Sequence, residues 1–138
     1  MSFNTQLSNY FVNSQANNVA TYFNSGYLFI YDGPQPANAN LPATGNLLVA
    51  LNFSNPAFAP AVNGVLTSYA LTSNVATSTG TASWFRTTQN DMTTVLLDGS
   101  VGSAAGNNLV LGTTYISTGS VVSITGFTHT VAESTPGA

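Results

Sequence analysis

A chain of 138 residues is long enough for one domain closed around a single core, and 43% hydrophobic and 11% aromatic residues are ordinary for a folded protein. Only 4% of the residues are charged, one Arg and four acids for a net −3, where folded domains usually carry about 25%. That balance leaves no electrostatic footprint for nucleic acid and disfavours an anionic membrane surface, and the absence of Cys excludes a disulfide framework and Cys-ligated metals.

The first 24 residues hold the helical signal. Phe3, Leu7, Tyr10 and Phe11 recur at i, i+4, i+7 and i+8, a one-sided stripe, with Ser2 placed to cap it. The other face is Asn, Thr, Ser and Gln, so the helix is marginal alone and its aromatic stripe must dock. Docking on its own domain and reaching a neighbouring subunit as an arm are both open. The stretch "MSFNTQLSNYFVNSQ" has neither a basic leader nor a continuous apolar run, so an export signal is not expected and synthesis in the cytoplasm is.

From Gly26 the chain reads as strand and turn. In "GYLFIYDG", Tyr27, Phe29 and Tyr31 share one face and Leu28 and Ile30 the other. "PQPANANLPATG" is a Pro- and Asn-rich surface connection, and "NLLVALNF" alternates with Leu47, Val49, Leu51 and Phe53 on the core side. Asn63-Gly64 between two apolar runs is the strongest hairpin signal. "GTASWFRTTQ" is a strand that "QNDM" turns back into "TTVLLDGSVG". Thr118-Gly119 starts a final hairpin into "SVVSITGFTHTVA", where the apolar phase switches at Gly126 as at a β-bulge. Many short strands with Gly/Asn turns predict an all-β chain, an antiparallel β-sandwich of jelly-roll or Ig-like type with a short N-terminal α-helix. Residues 1–24 form the helix or arm and residues 25–138 the sandwich, one domain overall.

Chemistry must be built from Asp32, Asp91, Asp98, Glu133, Arg86 and His129 plus hydroxyls. There is no G-x-S-x-G elbow for a Ser nucleophile, and neither "DGPQP" nor "DGSVG" has calcium-loop spacing. One His and no Cys cannot close a zinc site within one chain. The expectation is therefore no enzyme, no metal and no cofactor. Carbohydrate binding is the serious competitor, because Tyr27, Phe29, Tyr31 and Tyr69 are the kind of aromatics that lectin sandwiches present; packing into core or interface is the alternative use of the same residues.

Taken together, "LFIYDGPQPANANLPATGNLLVALNFSNPAF", "GTASWFRTT", "TTVLLDGSVG" and "ISTGSVVSITGFTHTVA" resemble a family of small virion structural proteins of tailed bacteriophages. Its members run as a helix, a strand like "LRIYTGTQP", a "PTGTLLATL" strand, "GTAGWFR", "DGSVG" and a closing G-x-x-V-x-V-x-x-F-x-x-T. The similarity extends in order from about Leu28 to Val131, and its motifs are structural rather than catalytic. It differs where the family's Asp-Gly turn is Asp91-Met92 here, and in a helix richer in Asn. The resemblance implies a capsid cement (decoration) protein on the outer capsid surface of the virion, or a tail component; a glycan-binding module for host attachment, read from the aromatics, is the further alternative. Its implied partners are the major capsid protein and copies of itself, most simply a homotrimer.

The one Arg stands two residues after the one Trp, so alternation puts Trp84 and Arg86 on the same strand face. Arg86 is expected to lie over the Trp84 ring and to pair with Asp98 or Asp32, tying strands or subunits together.

Overall fold

The structure, a computed structural model, describes residues 6–130. Its helix, α1 (Asn9–Thr21), starts later than the aromatic stripe suggested, and Ser8 caps it by accepting a hydrogen bond from Phe11 N. Ser2 and Phe3 lie outside the described residues. The face turned inward is Val12 and Ala16, with Val19 and Ala20 beside them; Leu7 is half-buried and precedes the helix, Tyr10 is 82% exposed and Phe11 is exposed.

The polar residues explain the difference. Asn13 Oδ1 accepts from Gly64 N and Asn17 Oδ1 from Ala61 N, both at 2.8 Å, and Asn24 Oδ1 accepts from Ala57 N at 2.9 Å. Residues 13 and 17 are one helical turn apart, so the Asn-rich side satisfies successive backbone amides that no strand reaches. The small Ala16 beside them lets the helix approach closely, and its methyl joins the same core as the strands.

The rest is mostly β. The strands are β1 (Tyr27–Tyr31), β2 (Leu47–Asn52), β3 (Val65–Thr67), β4 (Asn74–Val75), β5 (Gly80–Thr81), β6 (Trp84–Thr88), β7 (Val95–Gly102), β8 (Leu109–Val110), β9 (Tyr115–Ile116), β10 (Val121–Val122) and β11 (Thr128–Thr130). One five-stranded sheet has the order β2-β1-β6-β7-β8, and three two-stranded ribbons pair β10 with β4, β11 with β3 and β5 with β9. All ladders are antiparallel except β7–β8, where Val101 and Gly102 run parallel to Leu109 and Val110. The antiparallel expectation fails there because side chains hold the short connection: Asn108 Oδ1 accepts from Ser100 N at 2.9 Å and Ser100 Oγ accepts from Asn108 N at 3.1 Å.

Three further expectations are corrected. In β2, Leu48 as well as Val49 and Leu51 is buried, as is Phe53 just beyond it, while Leu47 is exposed, because the β1–β2 register shifts between Ile30 and Tyr31 and both faces of the strand are covered. The turn at Thr118-Gly119 forms, with Gly119 at φ 89° and Ser120 N donating to Ser117 O, but β9 and β10 diverge to separate partners, so no hairpin follows. The phase switch near Gly126 is not a bulge within one strand: the segment divides into two strands with different partners, β10 on β4 and β11 on β3.

The core centres on phenylalanines. Phe127 stands 6.1 Å from Phe53, 5.9 Å from Phe58 and 5.7 Å from Phe85, and Phe23 meets Phe53 and Phe58 edge-on. Such tilted and T-shaped contacts suit the ring quadrupoles.

Candidate functional site

The opposite face of the five-stranded sheet carries the unusual chemistry. Register sets Arg86 of β6 directly across from Phe29 of β1 and from Asp98 of β7, with Tyr31 across from Trp84. The Arg86 guanidinium grips Asp98 with two bonds, Nε to Oδ1 at 2.7 Å and Nη2 to Oδ2 at 2.9 Å. Both side chains are nearly out of solvent, 7% and 4% exposed. The Arg86 Cζ lies 5.5 Å from the Trp84 ring centroid, and Tyr31 stacks on Trp84 at 4.5 Å with planes 12° apart. Hydrogen bonding to Asp98 pushes the Arg86 pKa up, and burial pushes the Tyr31 hydroxyl up, so a charged guanidinium lies beside a neutral phenol.

A loop closes over this cluster. Arg86 Nη2 also donates to Leu41 O at 2.8 Å, Trp84 Nε1 donates to Asp32 O at 3.3 Å, and Ser83 Oγ donates to Gly33 O. Asp32, the other acid expected as a partner of Arg86, does not pair with it; at the neck of the loop its Oδ1 accepts from Asn46 N at 2.6 Å. Gly45, at φ 82°, is needed there, since a Cβ would stand 2.0 Å from Asp32 O. Residues 32–46 therefore form a strap, pinned at its neck by Asp32 and near its tip by the sole Arg. The "PQPANANLPATG" stretch reads as a loose connection; what it lacks in secondary structure is supplied by bonds to distant side chains.

The strap decides what the aromatics can do. Phe29 and Trp84 are buried, Tyr27 stacks on Phe29 at 5.9 Å, and Tyr31 is half-buried against Trp84. Only Tyr69 of the four lectin-type candidates is exposed, and it lines a cleft of about 390 Å³ with Asn17, Asn24 and Phe58 rather than the Arg86 cluster.

His129 borders a smaller cleft of about 170 Å³ with Phe85, Leu97, Asp98 and Phe127, where Asp98 is already held by Arg86. Burial holds the His129 pKa below the ordinary 6.5. Asp91 stays at a turn, where the bond from Thr94 Oγ1, followed by those from Thr94 N at 2.8 Å and Thr93 N at 2.9 Å, lowers its pKa to about 2. Glu133 lies outside the described residues. Among the described residues no three His, Cys, Asp or Glu gather as a metal would need.

A pH dependence follows. His129 binds its proton less readily folded than unfolded, so its contribution is complete above about 6.5 and is lost as pH falls towards the depressed folded value. Asp91 acts lower, its contribution present above 3.8 and lost as pH falls through about 2. The melting temperature of the wild type is expected to drop on mild acidification below neutrality, while His129→Gln stays flat over that interval. Parallel curves for the two proteins would remove His129 from this account.

No protein-family model, curated protein or solved structure matches this chain.

Proposed function

We propose that this chain is a non-enzymatic structural protein of a tailed-bacteriophage virion, a cement protein that binds the outer capsid surface as a cyclic homo-oligomer. The observation that carries the reading is how little charge the surface has. Among the described residues the single Arg and Asp98 are buried against each other, and Asp32 and Asp91 are engaged by their own turns. What faces solvent instead includes Tyr10, Phe11, Val62, Tyr115 and Val121 amid Ser, Thr and Asn. Covering such a surface costs little desolvation, whereas leaving it bare removes the repulsion that keeps monomers apart. On a symmetric shell many modest contacts add through avidity, so no single deep pocket is required. The motifs shared with the phage structural family support the same reading, with the five-stranded sheet as one layer of a sandwich and the three ribbons contributing the other.

Cryo-electron microscopy of the virion that carries this chain is the direct test, with icosahedral copies on the outer shell expected. Density confined to the tail would overturn the cement reading. A second expectation concerns the exposed helix aromatics. Tyr10→Ser with Phe11→Ser should shift stability by no more than about 1 kcal/mol, since neither packs on the core, yet weaken binding to shells stripped of the protein. Undiminished binding would take α1 out of the interface.

A further inference from the structure

Asn63 and Gly64 form a two-residue turn between Val62 and Val65, whose backbones exchange hydrogen bonds at 3.1 and 2.9 Å. Both turn residues have positive φ, 51° and 77°, the type I′ geometry that Asn-Gly favours. The same dipeptide is chemically fragile. With no side chain on Gly to obstruct it, the Gly nitrogen can attack the Asn side-chain carbonyl carbon, closing a five-membered imide. The new C–N bond replaces the amide bond to the side-chain nitrogen, which leaves as ammonia. One water then opens the imide to aspartate or isoaspartate. Attack requires the Gly N–H to lose its proton, so whatever holds that hydrogen controls the reaction.

In this fold the two residues are treated differently. Asn63 is exposed, but Gly64 is buried, and its N–H donates to Asn13 Oδ1 of α1 at 2.8 Å. We propose that Asn63 is a deamidation site kept closed by Asn13, so that docking of α1 determines whether the turn acquires a negative charge. The chemistry consumes one water and releases one ammonia, with no oxidant or further reactant. In a chain of net charge −3, each conversion is a large fractional change. Because α1 also bonds Ala61 through Asn17, a helix that lifts away exposes the turn and leaves a covalent record that it did so.

The test ages the full chain in mildly alkaline buffer and follows residue 63 by peptide mapping with an isoaspartate-specific assay. Asn13→Ala is expected to deamidate about three- to tenfold faster than wild type, the factor set by losing one backbone hydrogen bond to local opening. Asn17→Ala, which loosens the same helix but leaves the Asn13 bond to Gly64 in place, should fall between wild type and Asn13→Ala, and Asn13→Asp, which keeps an acceptor oxygen, should remain protected. Equal rates for Asn13→Ala and wild type would overturn the proposal, as would Asn17→Ala matching Asn13→Ala. If Asn13→Ala does not fold, hydrogen exchange at the wild-type Gly64 amide decides: slow exchange supports the guard, and exchange at the rate of the urea-unfolded chain overturns it.

Discussion

Asp98→Ala is expected to destabilise the fold by about 3–5 kcal/mol, because it strands a buried guanidinium with only the Leu41 carbonyl and the Trp84 face as partners. The loss reflects what remains after the deletion more than the worth of the ion pair. Desolvating both ions offsets most of their attraction, so Arg86→Met with Asp98→Leu should cost less than Asp98→Ala alone. Arg86→Lys should fall between, since an ammonium cannot hold both carboxylate oxygens and the Leu41 carbonyl in one plane. Urea unfolding followed by the fluorescence of Trp84, the sole tryptophan, reads all three. If Asp98→Ala unfolds within about 1 kcal/mol of wild type, or if the double replacement is the worse, the pair does not have the buried, strap-holding role given it here. The strap supplies a second readout: proteolysis within residues 32–46 should quicken in both single variants.

Phe127→Ala should cost about 3–5 kcal/mol, the range for a phenylalanine lost from a close-packed site. Its ring touches three others, and its backbone is held on both sides by Ser68, whose N donates to Phe127 O at 2.8 Å and whose Oγ accepts from Phe127 N at 2.9 Å. The fixed backbone prevents the site from collapsing around the gap, which places the expected loss towards the upper end. Phe127→Leu keeps much of the volume and should cost less than half as much, while Val121→Ala, on the surface, should stay within about 0.5 kcal/mol. A small effect at Phe127 in equilibrium unfolding would mean that the aromatic cluster does not form the centre of the core.

What the amino-acid order revealed depended on whether a local rule was in force. The strand phase of "GTASWFRTTQ" placed Trp84 and Arg86 on one face, and the Asn63-Gly64 turn could be read because few other dipeptides accept its geometry. The choice of Asp98 over Asp32 needed the register of β7, which no residue announces. The helix misled for a different reason. Bulky Phe3, Leu7, Tyr10 and Phe11 dominate any apolar stripe, yet α1 docks through small Ala16 and through Asn13 and Asn17, whose contribution is hydrogen bonding to amides far along the chain. The strap was illegible for the same reason: it is built from bonds such as Arg86 to Leu41 that cross dozens of residues and carry no periodicity. Likewise Thr118-Gly119 specifies a turn but not whether the strands on either side of it will meet.

Strand β1 sits inside the five-stranded sheet, with β2 on one side and β6 on the other. Its first neighbour follows shortly in the chain, but the second arrives only after three ribbon strands have been made. During synthesis, then, the β1–β2 hairpin must emerge with one long edge open, and its Phe53 and Leu51 must wait for Phe85 and Phe127 from far downstream. Open edges of that kind recruit one another. The hazard for this chain is therefore greatest before it is finished, and variants that slow the arrival of β6 will be lost to aggregation in the cell even where the completed protein is as stable as the parent.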